Sequence, residues 1–226
     1  MGKIGLITPT RNDRPLFKEQ YNKIIKSQTL QPDEIIMVDY EPVSKDKDLG
    51  ARYRIGIKEA EKRGCDVALL WEDDDWYHPT YLEWIFRRWK DNNKPDVFGV
   101  DITYYWNINE EKGRIINHPG RSSAFCTLLK LPYKYSFIAD DNIWFDLHLY
   151  KDHAKKYLTT KTIPFPEESI LAIGIKHGTG ITGGGGHNNS MYNRVDGIKH
   201  FNWFKTNCLD SKIYKDIALK IKNENK

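Results

Sequence analysis

The chain has 226 residues, 39% of them hydrophobic and 13% aromatic, which is enough to build one substantial core and excludes a disordered protein. Charged residues make up 29% and nearly cancel to a formal +4, a balance that admits anionic small molecules, nucleic acid or an acidic membrane surface and selects none of them. Cys65, Cys126 and Cys208 are far apart and odd in number, so neither a disulfide framework nor a CxxC metal site is expected, and a reducing, cytoplasmic setting is. There is no signal-peptide pattern at the start and no run of about eighteen apolar residues, so neither secretion nor a membrane span is expected.

Strand and helix signals alternate through the first hundred residues. KIGLITPT reads as a buried strand, and RPLFKEQYNKIIKSQ places Leu16, Tyr21, Ile24 and Ile25 at helical spacing. DEIIMVDY is a second strand, ARYRIGIKEAEKRG a helix ended by Gly64, and CDVALLW a third strand. PTYLEWIFRRWKDNN follows as a helix and PDVFGVDITYYW as a fourth strand. This order is that of a mostly parallel sheet with helices on its faces. Farther on, GRIINHPGRSSAFCTLLKL suggests strands around a Pro-Gly turn, DDNIWFDLHLYKDHAKKYL a helix, and ESILAIGIKHGTGIT another strand. GGGGHNNS is a loop, because its glycines carry a large ordering entropy and no packing side chains.

Four consecutive acids, Glu72, Asp73, Asp74 and Asp75, follow the third strand directly, between Trp71 and Trp76. In open α/β sheets ligands bind beyond the carboxyl ends of strands, where these acids fall. Adjacent carboxylates raise one another's pKa unless a cation is present, and a hard divalent ion such as Mg²⁺ or Mn²⁺ answers that need. The structural alternative, acids favouring the following helix N-terminus, accounts for one or two of the four. An ion held by one or two carboxylates completes its shell with water and phosphate oxygens, so the expected ligand is a phosphate ester. Neither GxxxxGK[ST] nor an early GxGxxG occurs, which argues against a P-loop or a dinucleotide fold, and GTGITGGGG comes late without a convincing helix after it.

In order and in kind, these segments resemble the family 2-like glycosyltransferases of the GT-A fold. ITPTRNDRPLFKEQYNKIIKSQTLQPDEIIMVDYEP resembles the family's opening, and LGARYRIGIKEAEKRGCDVALLWEDDDWYHP its block leading into the DxD motif. The resemblance implies an α/β, single GT-A-type domain over 1–226, with a Rossmann-like central sheet flanked by helices and a smaller acceptor-side subregion. Its nucleotide-binding half would span roughly 1–100, its acceptor half roughly 101–200, and a helical tail 201–226. It implies transfer of a sugar from a nucleotide diphosphate sugar, UDP-sugar favoured, to a glycan or other hydroxyl-bearing acceptor, as a hexosyltransferase-type enzyme working with inversion. Nucleic acid would be a partner only as acceptor. Thr8, Pro9, Arg11, Asp39, Arg52, Glu72 and Asp73 would contact the nucleotide; Asp73, Asp74, Asp75 and His177 would hold Mn²⁺ or Mg²⁺. Aligned on Pro79, Glu72 and Asp74 are the outer members of the DxD; read literally, Asp73 and Asp75 are. YSFIADDNIWFD resembles the family's acidic pair, with Asp141 as general base beside Asp140, although Asp at a helix start is also an ordinary cap. ILAIGIKHGTGIT resembles the strand ending in a basic residue and His, here Lys176 and His177, and His187 competes for the role. The glycine loop fits a lid over bound donor.

The QxxRW motif of long polysaccharide synthases is absent, which favours single transfer over processive synthesis. Trp71, Trp76, Tyr77, Tyr104, Tyr105 and Trp106 would stack on acceptor sugars or fill the core. Two other readings use the same acids: a metal-dependent phosphodiesterase or nuclease drawing on Asp74, Asp141 and His177, and a non-catalytic carbohydrate- or nucleic-acid-binding module with a structural ion.

Overall fold

The computed structural model describes residues 2–10, 15–39, 48–109, 112–133, 145–151, 156, 158–166, 169–177 and 210–224. Arg11, Asp140, Asp141 and His187, and with them the expected general base and the glycine loop, lie outside the described residues.

The chain begins with β1 (Ile4–Pro9), buried along its whole length, and α1 (Pro15–Ser27), whose first-turn proline matches the fixed φ of a helix start. Helix α1 buries Phe17, Gln20, Tyr21, Ile24 and Ile25, an i, i+3, i+4, i+7, i+8 stripe. Next come β2 (Glu34–Val38) and α2 (Leu49–Lys62). Gly64, at φ 73°, closes α2. Its N–H donates to Glu61 O at 2.9 Å and that of Cys65 to Ala60 O at 3.0 Å, the paired bonds of a Schellman end, which require the left-handed conformation that glycine adopts without strain.

The third strand β3 (Val67–Leu70) leads through the acidic turn to the two-residue β4 (Trp76–Tyr77) and then to α3 (Tyr81–Asp91). Beyond these lie β5 (Val97–Val100), β6 (Ile102–Asn107), β7 (Lys112–Asn117), a 3-10 turn at Ala124–Cys126 and β8 (Thr127–Lys130). Helix α4 (Phe145–Leu149), β9 (Thr160–Ile163), β10 (Ala172–Lys176) and α5 (Asp210–Glu224) complete the described elements.

Six strands form the main sheet in the order β2-β1-β3-β8-β5-β9. The pairs β1·β2, β1·β3 and β5·β9 are parallel, and β8 runs antiparallel between β3 and β5. This is the mixed α/β, mostly parallel architecture expected. A second sheet has the order β4-β10-β6-β7. PDVFGVDITYYW, expected as one strand, divides at Asp101 between the two sheets: β5 is buried throughout, while β6 pairs with β7 and β10. Strand β9 was not expected either; TKTI offers only four residues, and its pairing with β5 makes it a strand.

The main sheet separates two cores, and the period-2 alternation of β3 shows how. Val67, Leu69 and Trp71 face the core shared with α1, α3, β6, β10 and α5, whereas Ala68 and Leu70 face the one beneath α2 and α4. Helix α2 sits close on β1 because Gly56 has no side chain: a Cβ there would lie 2.2 Å from Ile7 Cγ2. These contacts carry the C-terminal ends of β1, β2 and β3 to one edge of the sheet, where the acids are.

Candidate functional site

The acidic turn is held from both sides. At its start, Trp71 N–H donates to Ile7 O at 2.9 Å and Glu72 N–H to the Tyr77 hydroxyl at 3.0 Å. At its end, β4 pairs antiparallel with β10, Trp76 against Ile173 and Tyr77 against Ala172. Trp71 stacks on Tyr77 with ring centroids 3.7 Å apart. The chain therefore turns back on itself between two sheets, which forces the intervening carboxylates together.

Glu72, Asp74 and Asp75 each bring a carboxylate oxygen within 4.8 Å of the others. Asp75 is buried; its Oδ1 accepts from Ile175 N–H at 2.7 Å, and its Oδ2 is buried with no hydrogen-bond partner. Burial, reinforced by Glu72 and Asp74, holds the Asp75 carboxyl well above the usual carboxylate range, against the opposing pull of Lys176. An orphaned buried oxygen beside two further carboxylates is a donor set suited to a hard divalent cation, so the residues fit the expected Mn²⁺ or Mg²⁺.

Asp73 points elsewhere, accepting a hydrogen bond from the Thr10 hydroxyl at the end of β1. Of the two DxD registers, the one with Glu72 and Asp74 as outer members thus brings both into the cluster, and Asp75 joins them from the literal one. His177 is fully buried, with Nε2 2.8 Å from Asp74 Oδ2, the ring N–H donating to the carboxylate. Its ring packs on Phe17 at 4.6 Å between centroids, and Phe17 in turn meets Tyr214 of α5 at 6.5 Å. His177 accordingly aims Asp74 from behind, in the manner of an outer-shell partner to a metal ligand.

The residues expected at the nucleotide have different surroundings. Asp39 is exposed at the end of β2, and Pro9 is buried opposite Val38. Thr8 is fully buried with its hydroxyl 3.0 Å from that of Tyr21, so it faces the core of α1. Arg52 is buried as a brace: Nε donates to Asp48 Oδ2 at 2.7 Å, and Nη1 to Thr10 O and Val38 O, both at 2.8 Å. It ties the ends of β1 and β2 to the start of α2.

Among the aromatics, Trp71, Trp76, Tyr77 and Trp106 are core residues, while Tyr104 and Tyr105 are partly exposed. Lys176 Nζ lies 5.0 Å from the centroid of the Tyr105 ring, whose hydroxyl is 2.5 Å from Ser123 Oγ.

Several contributors had no place in the sequence reading. Asp48 carried one signal, the Asp-x-x-x-Arg spacing of a helical ion pair. Ile175 N–H and the Tyr77 hydroxyl carried none, since tertiary pairing alone brings them to the acids. Asp146, on α4, is a further acid whose carboxyl is raised by desolvation, with Arg121 and Lys176 drawing it down. The Tyr53 phenol lies within the field of both groups; burial raises it first, and Glu72, Asp75 and Asp146 raise it further.

No family model matches this chain, and no curated protein does. Solved structures do. The fold is shared with S. aureus TarS. One crystal structure of TarS matches with a TM-score of 0.51 at 12% identity, over 77% of this chain and 37% of that one. The crystal structure of TarS 1-349 in complex with UDP-GlcNAc matches with a TM-score of 0.51 at 11% identity, over 96% of this chain and 79% of that one. The chain thus spans 37% of the length of the first. A197 from STIV matches with a TM-score of 0.47 at 11% identity, over 72% of this chain and 82% of that one. At these identities the likeness to TarS is one of fold, and it accords with the mostly parallel α/β class read from the sequence. Among the described residues no helix is long and apolar enough to cross a membrane.

Proposed function

We propose that this chain is a metal-dependent glycosyltransferase that moves a sugar from a nucleotide diphosphate sugar, with UDP-sugar favoured, to an acceptor hydroxyl. The observation that carries the reading is the convergence of Glu72, Asp74 and Asp75, with an orphaned carboxylate oxygen, at the C-terminal end of β3. The fold supports it, because the S. aureus TarS structure that matches most of this chain is a complex with UDP-GlcNAc.

Glu72, Asp74 and Asp75 would hold Mn²⁺ or Mg²⁺, with His177 fixing the rotamer of Asp74. Bound there, the ion supplies charge neutralisation to the departing diphosphate. Asp73 and Thr10, joined at the end of β1, and Asp39 on the end of β2 offer polar groups to the nucleoside. Lys176 supplies a cation beside the acids, suited to a phosphate oxygen. The acceptor oxygen would form its bond to the anomeric carbon as the bond to the diphosphate oxygen breaks, the electron pair leaving with the nucleotide. The hydroxyl proton would pass to Asp141, beside Asp140, with inversion as the stereochemical outcome. The setting would be reducing and cytoplasmic, as the odd number and wide spacing of the cysteines suggest.

Thermal unfolding with UDP, GDP, CDP or dTDP, each with and without Mn²⁺, tests this. One nucleotide should raise the midpoint only with metal, by an amount equivalent to about 2.7 kcal/mol at a hundredfold excess over Kd. Asp74→Asn, which keeps a partner for His177, should abolish the shift. No response to any nucleotide with metal would overturn the donor site and favour a phosphodiesterase or a binding module.

A further inference from the structure

We propose that the exposed faces of α1 and α5 together form a docking surface for an anionic lipid bilayer. Helix α5 is fixed to the body by buried Tyr214, Ile217 and Ala218 and by the Trp76 indole, which donates to Asp210 Oδ2 at 2.9 Å. It packs beside α1, and its Lys220 lies within the electrostatic reach of Glu19 on that helix, so the outer faces of the two helices adjoin.

Those faces are one-sided in charge. Among the described side chains they expose six lysines, Lys18, Lys23 and Lys26 on α1 and Lys212, Lys215 and Lys220 on α5. Two acids, Glu19 and Asp216, are exposed with them, and Glu19 is already engaged by Lys23 at 2.7 Å. Among these exposed side chains positive charges outnumber negative ones by six to two.

An apolar group stands among the lysines. Leu219 is 59% exposed, the most exposed large hydrophobic side chain in the described residues. It shares one stripe of α5 with Lys212 and Lys215, at i−7 and i−4, and Lys220 follows it. A lone exposed leucine needs no explanation. Set within a cationic helix face it matches an interfacial helix, in which lysines meet anionic headgroups and an apolar side chain enters the acyl boundary. A nucleic acid would use the lysines and leave Leu219 idle.

Flotation with phosphatidylcholine vesicles, with and without phosphatidylglycerol, tests the surface on the full chain. The protein should float only with phosphatidylglycerol. Binding should fade between about 0.1 M and about 1 M salt, as the Debye length falls from about 10 Å to about 3 Å. The triple variant Lys18→Glu, Lys212→Glu, Lys220→Glu should lose at least about tenfold in partitioning. Leu219→Asp, which leaves every lysine in place, should also weaken it, and unchanged thermal midpoints would show that both variants fold. The proposal is overturned if phosphatidylglycerol makes no difference or if either variant floats like the parent. It is equally overturned if duplex DNA competes fully and Leu219→Asp is without effect, which would mark a face for polyanions in general.

Discussion

Arg52 and Asp48 show how a charge near a ligand site can belong to the scaffold. Both side chains are almost wholly buried, at 3% and 4% exposure, and the guanidinium also satisfies two backbone carbonyls. Removing one partner of such a pair strands the other charge, so Arg52→Ala should destabilise the protein by about 3–5 kcal/mol in urea unfolding. Arg52→Lys, unable to reach three acceptors with one planar group, should recover only part of that. Asp146 gives a pH-dependent counterpart. Desolvation raises its folded-state pKa, so its contribution to stability is fully present below the unfolded value and is lost as pH rises through the folded one. Asp146→Asn should therefore gain thermal midpoint on the parent as pH increases from about 4, the ordinary carboxylate range, toward neutrality. A gap that stays constant with pH would contradict this.

At the scale of elements, the site depends on how closely helices and turns approach the strands that carry it. Helix propensity alone predicts that Gly56→Ala stabilises α2 by about 1 kcal/mol. The new Cβ, however, would lie 2.2 Å from Ile7 Cγ2, on a β-branched side chain fully buried in the core. Overpacking of this kind costs about 1–3 kcal/mol, so the clash decides the sign and the urea midpoint should fall. The acidic turn obeys the same logic. Its carboxylates converge because β4 is paired to β10, and the hydrogen bond from Ile175 N–H to Asp75 exists only in that register.

Across the whole molecule, α5 closes a chain of contacts that starts at the acids. Asp74 meets His177, His177 packs on Phe17, Phe17 meets Tyr214, and Trp76 reaches back to Asp210. Tyr214→Ala removes a ring 1% exposed in this core and should lower stability by about 3 kcal/mol, measured by urea unfolding. Because Phe17 would lose its support, the mutant should also show a smaller Mn²⁺-dependent thermal shift than the parent.

The sequence by itself determined the α/β class, the first three strands with their helices, and the position of the acids at a strand end. Those features rest on local information: period-2 and period-3.6 hydrophobic patterns, a glycine able to adopt positive φ, and four acids in a row. Tertiary structure decided which acids converge, since the path of the turn is set by the pairing of β4 with β10 and not by local periodicity: Asp73 goes to Thr10, whereas Asp74 and Asp75 meet Glu72. It also decided that His177 is a buried partner of Asp74, that Thr8 faces Tyr21 and that Arg52 braces two strands. The division of residues 97–107 between two sheets, and the very existence of β9, follow from pairing with segments distant in the chain. No local window contains those partners, and a four-residue strand becomes stable only when its neighbour supplies the hydrogen bonds.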